Sequence, residues 1–162
     1  MKKDILGVDI GGVLIDRVAD GTDTSFFSDR FLETPAVADG FATLARLRER
    51  FGDGMHVVSK CGPNVERKSK LWLAHNRFTE ITGISLRQVH FCRKRIEKAP
   101  ICARLGVTHF VDDRYDVMRH LTMVKHRYLF RPDEGDVQIA AQQPLNGMRI
   151  VHEWSEIAAE LL

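Results

Sequence analysis

The chain has 162 residues, 44% hydrophobic and 28% charged, which is the size and make-up of one globular domain. Its 24 basic residues are nearly balanced by 22 acidic ones, and a net charge of +2 is too small to imply a nucleic-acid or membrane partner. Three cysteines, Cys61, Cys92 and Cys102, are an odd number without metal-ligand spacing, which argues against a disulfide framework or a zinc site and suits a reducing cytoplasm. The opening Met1-Lys2-Lys3-Asp4 leads into a short apolar run broken by Asp9, which matches neither a signal peptide nor a membrane span, so a cytoplasmic protein is expected.

In chain order, the apolar run ending at Asp9 reads as a strand, and Gly11 and Gly12 allow a tight turn with bare backbone amides. Residues 17–34 are rich in Asp, Gly, Thr and Ser and read as a long loop or short flap, with Phe26, Phe27 and Phe31 as its apolar points. Val37, Phe41, Leu44, Leu47 and Phe51 recur at helical spacing and predict an amphipathic helix over 35–51. A strand over 55–58 stops at Ser59-Lys60-Cys61-Gly62; a helix over 63–78 follows, and 79–87 return the chain to a third strand at 89–92. A basic turn containing Lys98 leads to a short helix over 99–105, and the strand 107–111 runs straight into Asp112-Asp113. A helix over 115–123, a strand at 128–130, a loop over 131–147, a strand at 148–151 and a closing helix over 154–162 complete the chain. Strands alternating with helices over short connections predict a three-layer α/β, Rossmann-like fold, with a parallel sheet covered on both faces in a single domain over 1–162.

Three strand ends carry chemistry: Asp9, Ser59 and Asp112-Asp113, with Lys98 shortly before the last. In an open α/β sheet the ligand crevice lies outside the carboxyl ends of the strands, where these residues fall. Together they resemble the four motifs of the haloacid dehalogenase superfamily over residues 8–116, in its minimally capped, nucleotidase-like and phosphatase-like branches. Phe110-Val111-Asp112-Asp113-Arg114-Tyr115-Asp116 is the most specific segment, and Trp154-Ser155-Glu156-Ile157 adds a weaker likeness. The resemblance implies Asp9 as nucleophile and metal ligand, Ser59 as hydrogen-bond donor to the phosphoryl oxygens, and Lys98 as the balancing ammonium. It further implies Asp112, Asp113 and the Gly11 carbonyl as ligands of Mg²⁺, and Lys60 and Gly12 as phosphate contacts beside Ser59 and Lys98. An attacking carboxylate, a hard cation, a hydroxyl and an ammonium are the parts that phosphoryl transfer needs. The implied partner is a phosphorylated substrate, with neither nucleic acid nor membrane expected and a homo-oligomer left open.

Each residue also has a plainer role. Ser59 can form a turn, Asp112 and Asp113 can cap the next helix, and Arg93 to Arg95 can be a solvated face. The seven histidines show no ligand spacing. One departure matters for activity: Gly11 stands where phosphatases of the resembled family keep a second Asp, the acid that protonates the leaving group and then activates water. Such a group contributes roughly 10²–10⁴ in rate, so slow turnover is expected. Asp16 is read as too far along the loop to replace it. The competing readings are a slow Mg²⁺-dependent hydrolase of phosphate esters and a phosphate-binding or regulatory protein that keeps the site without turnover. The sugar-kinase-like hairpin that Gly7 to Gly12 also suggests requires a much longer chain and an alternating strand where 17–28 is polar, and is set aside.

Overall fold

The computed structural model describes residues 2–17 and 25–162. Six strands form one parallel sheet in the order β3-β2-β1-β4-β5-β6. They are β1 (Leu6–Val8), β2 (Met55–Lys60), β3 (Val89–Cys92), β4 (His109–Asp112), β5 (His126–Phe130) and β6 (Met148–Val151). The helices are α1 (Gly40–Phe51), α2 (Pro63–His75), α3 (Phe78–Thr82), α4 (Lys98–Leu105), α5 (Tyr115–Met118), α6 (Glu134–Gln142) and α7 (Trp154–Leu161), with 3-10 turns at Phe31–Glu33, Leu86–Gln88 and Arg95–Glu97. This is the expected three-layer α/β, Rossmann-like architecture. No described helix is long and apolar enough to cross a membrane.

The sheet is buried on both faces because each strand alternates its side chains between two apolar layers. Val8, Met55, Val57, Val111 and Tyr128 pack with α1, α2 and α7 through Leu44, Leu47, Phe51, Trp72, Trp154 and Ile157. Val58, Phe110 and Leu129 face the other layer, where Cys102 of α4 and Tyr115, Val117 and Met118 of α5 close over them. Gly7 is required at the centre of β1, since a Cβ there would come within 2.6 Å of the Phe110 ring. The three cysteines are free and buried.

Several boundaries differ from expectation for identifiable reasons. Helix α1 begins at Gly40, because the stretch before it is engaged with the first loop: Asp16 N donates to Pro35 O and Val37 N to Leu14 O. The helix expected over 63–78 ends at His75, and Arg77, with φ of 58°, turns the chain into the short α3. Helix α5 stops at Met118, after which His120 and Leu121 make bonds of the 3-10 type to Val117 O and Met118 O.

The loop expected over 131–147 contains α6, so that reading is corrected. The Asp133 side chain accepts from Asp136 N at 2.8 Å and caps the helix. Only Ala140 of α6 is buried, which leaves no apolar stripe for periodicity to detect. Of the expected flap, 18–24 lie outside the described residues; after them Phe26 meets Phe31 edge-on at 5.9 Å, and the Lys68 ammonium lies 5.1 Å from the Phe31 ring centroid.

Candidate active site

Chain direction places the site. From β1 the sheet grows one way through β2 and β3, and the other way through β4 to β6, so the crevice falls between the carboxyl ends of β1 and β4. The register pairs Val8 with Val111, and Asp9 N donates to Val111 O at 2.9 Å, so Asp9 and Asp112 emerge side by side. After Asp9 the chain winds tightly, with the amides of Val13, Leu14 and Ile15 all directed to Ile10 O. Trp154 of α7 anchors this turn by donating its indole N–H to Val13 O at 3.0 Å. Gly12 has φ of +76°, and a Cβ there would sit 2.4 Å from Asp113 Oδ2, so glycine is required by both backbone and space. At Gly11 an added Cβ would meet nothing within 4 Å.

Asp9, Asp112 and Asp113 are buried and each offers a carboxylate oxygen within 4.8 Å of the others. Lys98, the first residue of α4 and only 2% exposed, places Nζ 2.7 Å from Asp112 Oδ2 and 3.1 Å from Asp9 Oδ1. Asp112 also accepts from Arg114 N at 3.1 Å. On the other flank, the Arg17 guanidinium is paired with Asp113. Ser59, Lys60, Gly11 and Gly12 line the same cleft, which has a volume of about 700 Å³. The structure therefore brings every sequence-nominated residue to one crevice, four of them within bonding or ligand distance.

The electrostatics are those of an under-neutralised site. Three carboxylates face two cations. Burial pushes the Asp9 carboxyl up to about 6, against the pull of Lys98 and with a further push from Asp113. Burial raises Asp112 well above the usual carboxylate range, and the Asp9 charge adds to the rise. Burial disfavours the Lys98 ammonium, but Asp112 and Asp9 reverse the balance and keep it charged. Clustered buried oxygens that are short of positive charge are the donor set a hard divalent cation such as Mg²⁺ takes, and in this respect the residues fit that ion.

Sequence reasoning missed Arg17, Arg95, Arg114 and Asp133, all of which line the cleft. Arg17 carries no motif, and its partner Asp113 is 96 residues away. Of the basic run taken as a solvated face, Arg93 pairs with Glu66 at 2.9 Å and donates to Cys61 O, while Arg95 turns to the cleft. Asp16 also lines the cleft: the turn brings Ile15 back beside Gly11, so Asp16 is closer to the site than its distance in sequence suggested.

No family model matches the chain and no curated protein matches it. Solved structures do. D,D-heptose 1,7-bisphosphate phosphatase from B. bronchiseptica, complexed with magnesium and phosphate, aligns with TM-score 0.65 and 16% identity over 99% of this chain and 98% of that one. The phosphatase of the same name from Burkholderia thailandensis aligns with TM-score 0.60 and 16% identity over 98% and 97%. A protein from Burkholderia xenovorans LB400 described as haloacid dehalogenase-like aligns with TM-score 0.63 and 11% identity over 98% and 96%. At these identities the likeness is one of fold. The chain has the fold of the haloacid dehalogenase-like hydrolases along its whole length.

Proposed function

We propose that the protein is a Mg²⁺-dependent phosphohydrolase of the haloacid dehalogenase superfamily, which releases phosphate from a phosphorylated substrate through a phosphorylated Asp9. The observation that carries the reading is the convergence of Asp9, Asp112, Asp113 and Lys98 at the crevice between β1 and β4. The likeness in fold to a phosphatase complexed with magnesium and phosphate supports it.

Asp9 attacks phosphorus, and Lys98 holds its carboxylate charged and oriented. The Ser59 hydroxyl and Lys60 contact the phosphoryl oxygens. The amino end of α2, opening with Gly62 and Pro63 beside the cleft, favours an anion there. Asp9, Asp112, Asp113 and the Gly11 carbonyl would hold the metal, which supplies charge neutralisation at the phosphoryl group. Without a carboxyl at position 11 the leaving group departs without a proton from the protein, and turnover on ordinary esters is slow.

The test is hydrolysis of p-nitrophenyl phosphate with Mg²⁺, and location of the adduct formed with beryllium fluoride. Slow, Mg²⁺-dependent cleavage and an adduct on Asp9 are expected. The open space at Gly11 admits an aspartate, so Gly11→Asp should raise the rate on esters with poor leaving groups. Phosphate binding without cleavage of any phosphoryl compound would favour the second reading, a phosphate-binding protein, which the side-chain-free position 11 itself suggests.

A further inference from the structure

Resting on the phosphohydrolase reading, we propose that the substrate is a phosphoric anhydride, with Arg17 and a basic wall of the cleft stabilising a departing phosphate. Three observations converge on it. Position 11 has no side chain, so the acid that an alcohol leaving group requires is missing where the fold has room for it. What stands beside the next residue is a permanent cation: Arg17, paired with Asp113, lines the cleft with its side chain 48% exposed, and its Nε lies 2.9 Å from the place of a Cβ on Gly12. A guanidinium neutralises developing charge but does not hand over a proton.

The third observation is the cleft beyond the reacting centre. Lys60 lies two residues past Val58 and shares its face of β2, toward α4 and α5. Arg95, 3.6 Å from Asp116 of α5, and Arg114, immediately before α5, lie toward the same side. None of the three takes part in the Lys98 contacts with Asp9 and Asp112. Phe26, Phe27 and Val65 supply an uncharged wall. The two further acids of the cleft are engaged with backbone, Asp16 with Arg17 N and Asp133 with Asp136 N. A cavity of about 700 Å³ whose outer wall carries Lys60, Arg95 and Arg114 accommodates a second phosphate.

The chemistry balances without a protein acid. An Asp9 oxygen bonds to phosphorus, the bond from phosphorus to the bridging oxygen breaks, and its electron pair leaves with the second phosphate. Where the departing phosphate already carries a proton or an ester group it leaves as a dianion, since the second ionisation of a phosphate group lies near pH ~6, whereas an alkoxide, with a conjugate acid near that of water at about 15.7, would not. Water then attacks the phosphorus of the aspartyl phosphate and gives its proton to the phosphate just released. Asp9 is freed as the carboxylate.

The experiment compares kcat/KM with Mg²⁺ on pyrophosphate, p-nitrophenyl phosphate and glycerol phosphate. Pyrophosphate should exceed glycerol phosphate by at least about 10²-fold, the contribution of a missing acid. Arg17→Met should lower pyrophosphate cleavage by about 10²–10³-fold, as loss of a charge-stabilising donor does. In the inactive Asp9→Asn background, Arg17→Met should weaken binding of imidodiphosphate about tenfold by calorimetry, a readout independent of turnover. Gly11→Asp should raise the rate on glycerol phosphate and not on pyrophosphate. Equal rates on pyrophosphate and glycerol phosphate, or an Arg17→Met variant with an unchanged thermal midpoint and undiminished pyrophosphate cleavage, would overturn the anhydride assignment and leave the phosphohydrolase standing. Absence of any Asp9-dependent cleavage and of a beryllium fluoride adduct would overturn both.

Discussion

The two ends of strands β1 and β4 bury polar groups in opposite ways. At the carboxyl end, Asp9, Asp112 and Asp113 stay close together against Lys98 and Arg17, and burial raises Asp9 and Asp112. At the amino end, His109 stacks on His126 at 4.4 Å, meets the Phe51 ring edge-on, and shares a 2.8 Å hydrogen bond with Thr108 Oγ1. Burial, with a further push from His126, takes His109 down to about 4, so it is neutral at pH 7. The amino end satisfies its polar groups by discharging them. The carboxyl end holds charges that work against folding, which a binding or catalytic site needs and a purely structural cluster does not.

The sharpest way to break this comparison is Asp9→Asn. It should abolish turnover altogether, yet raise the thermal midpoint of the metal-free protein by about 2–4 °C for each kcal/mol of buried repulsion removed, read by calorimetry. A variant that loses stability as well as activity would make Asp9 structural. Lys98→Met should do the reverse, leaving the buried Asp9 and Asp112 charges uncompensated at a cost of about 3–5 kcal/mol, measured by urea unfolding at pH 7. A cost within 1 kcal/mol would mean that the carboxylates are not ionised together.

Adding Mg²⁺ should stabilise the carboxyl end alone. At a hundredfold excess over its dissociation constant the gain is about 2.7 kcal/mol, and Asp113→Asn should diminish it at a fixed Mg²⁺ concentration. No Mg²⁺-dependent shift in midpoint would remove the metal from the reading.

On pH the two ends should respond with opposite signs. Folding raises Asp9 from 3.8 to about 6, so the folded state takes the proton first, and the stability gained at low pH is lost as pH rises through 6. Folding lowers His109 from 6.5 to about 4, so the stability present above 6.5 is lost as pH falls toward 4. In unfolding midpoints between pH 4 and 7 without metal, Asp9→Asn should therefore steepen the loss on acidification and His109→Phe should flatten it. Identical slopes in both variants would contradict the assignment.

The constellation was readable because a parallel sheet puts its chemistry where an apolar run gives way to polar residues, and Asp9, Ser59 and Asp112-Asp113 each mark such a place. Helix α6 was not readable, since it buries only Ala140 and takes its start from the Asp133 cap. Asp16 lies nearer the cleft than its distance along the chain suggests, because a turn returns Ile15 to Gly11.

The sequence alone settled the order of the strands, the ends that carry charge, and the absence of a carboxyl at position 11, because these depend on local periodicity and residue type. Tertiary structure decided the rest: the pairing of Arg17 with Asp113, the turn of Arg95 into the cleft and the space left open at Gly11. These arise from contacts between distant segments, and only the closed sheet determines which side chains share so little room.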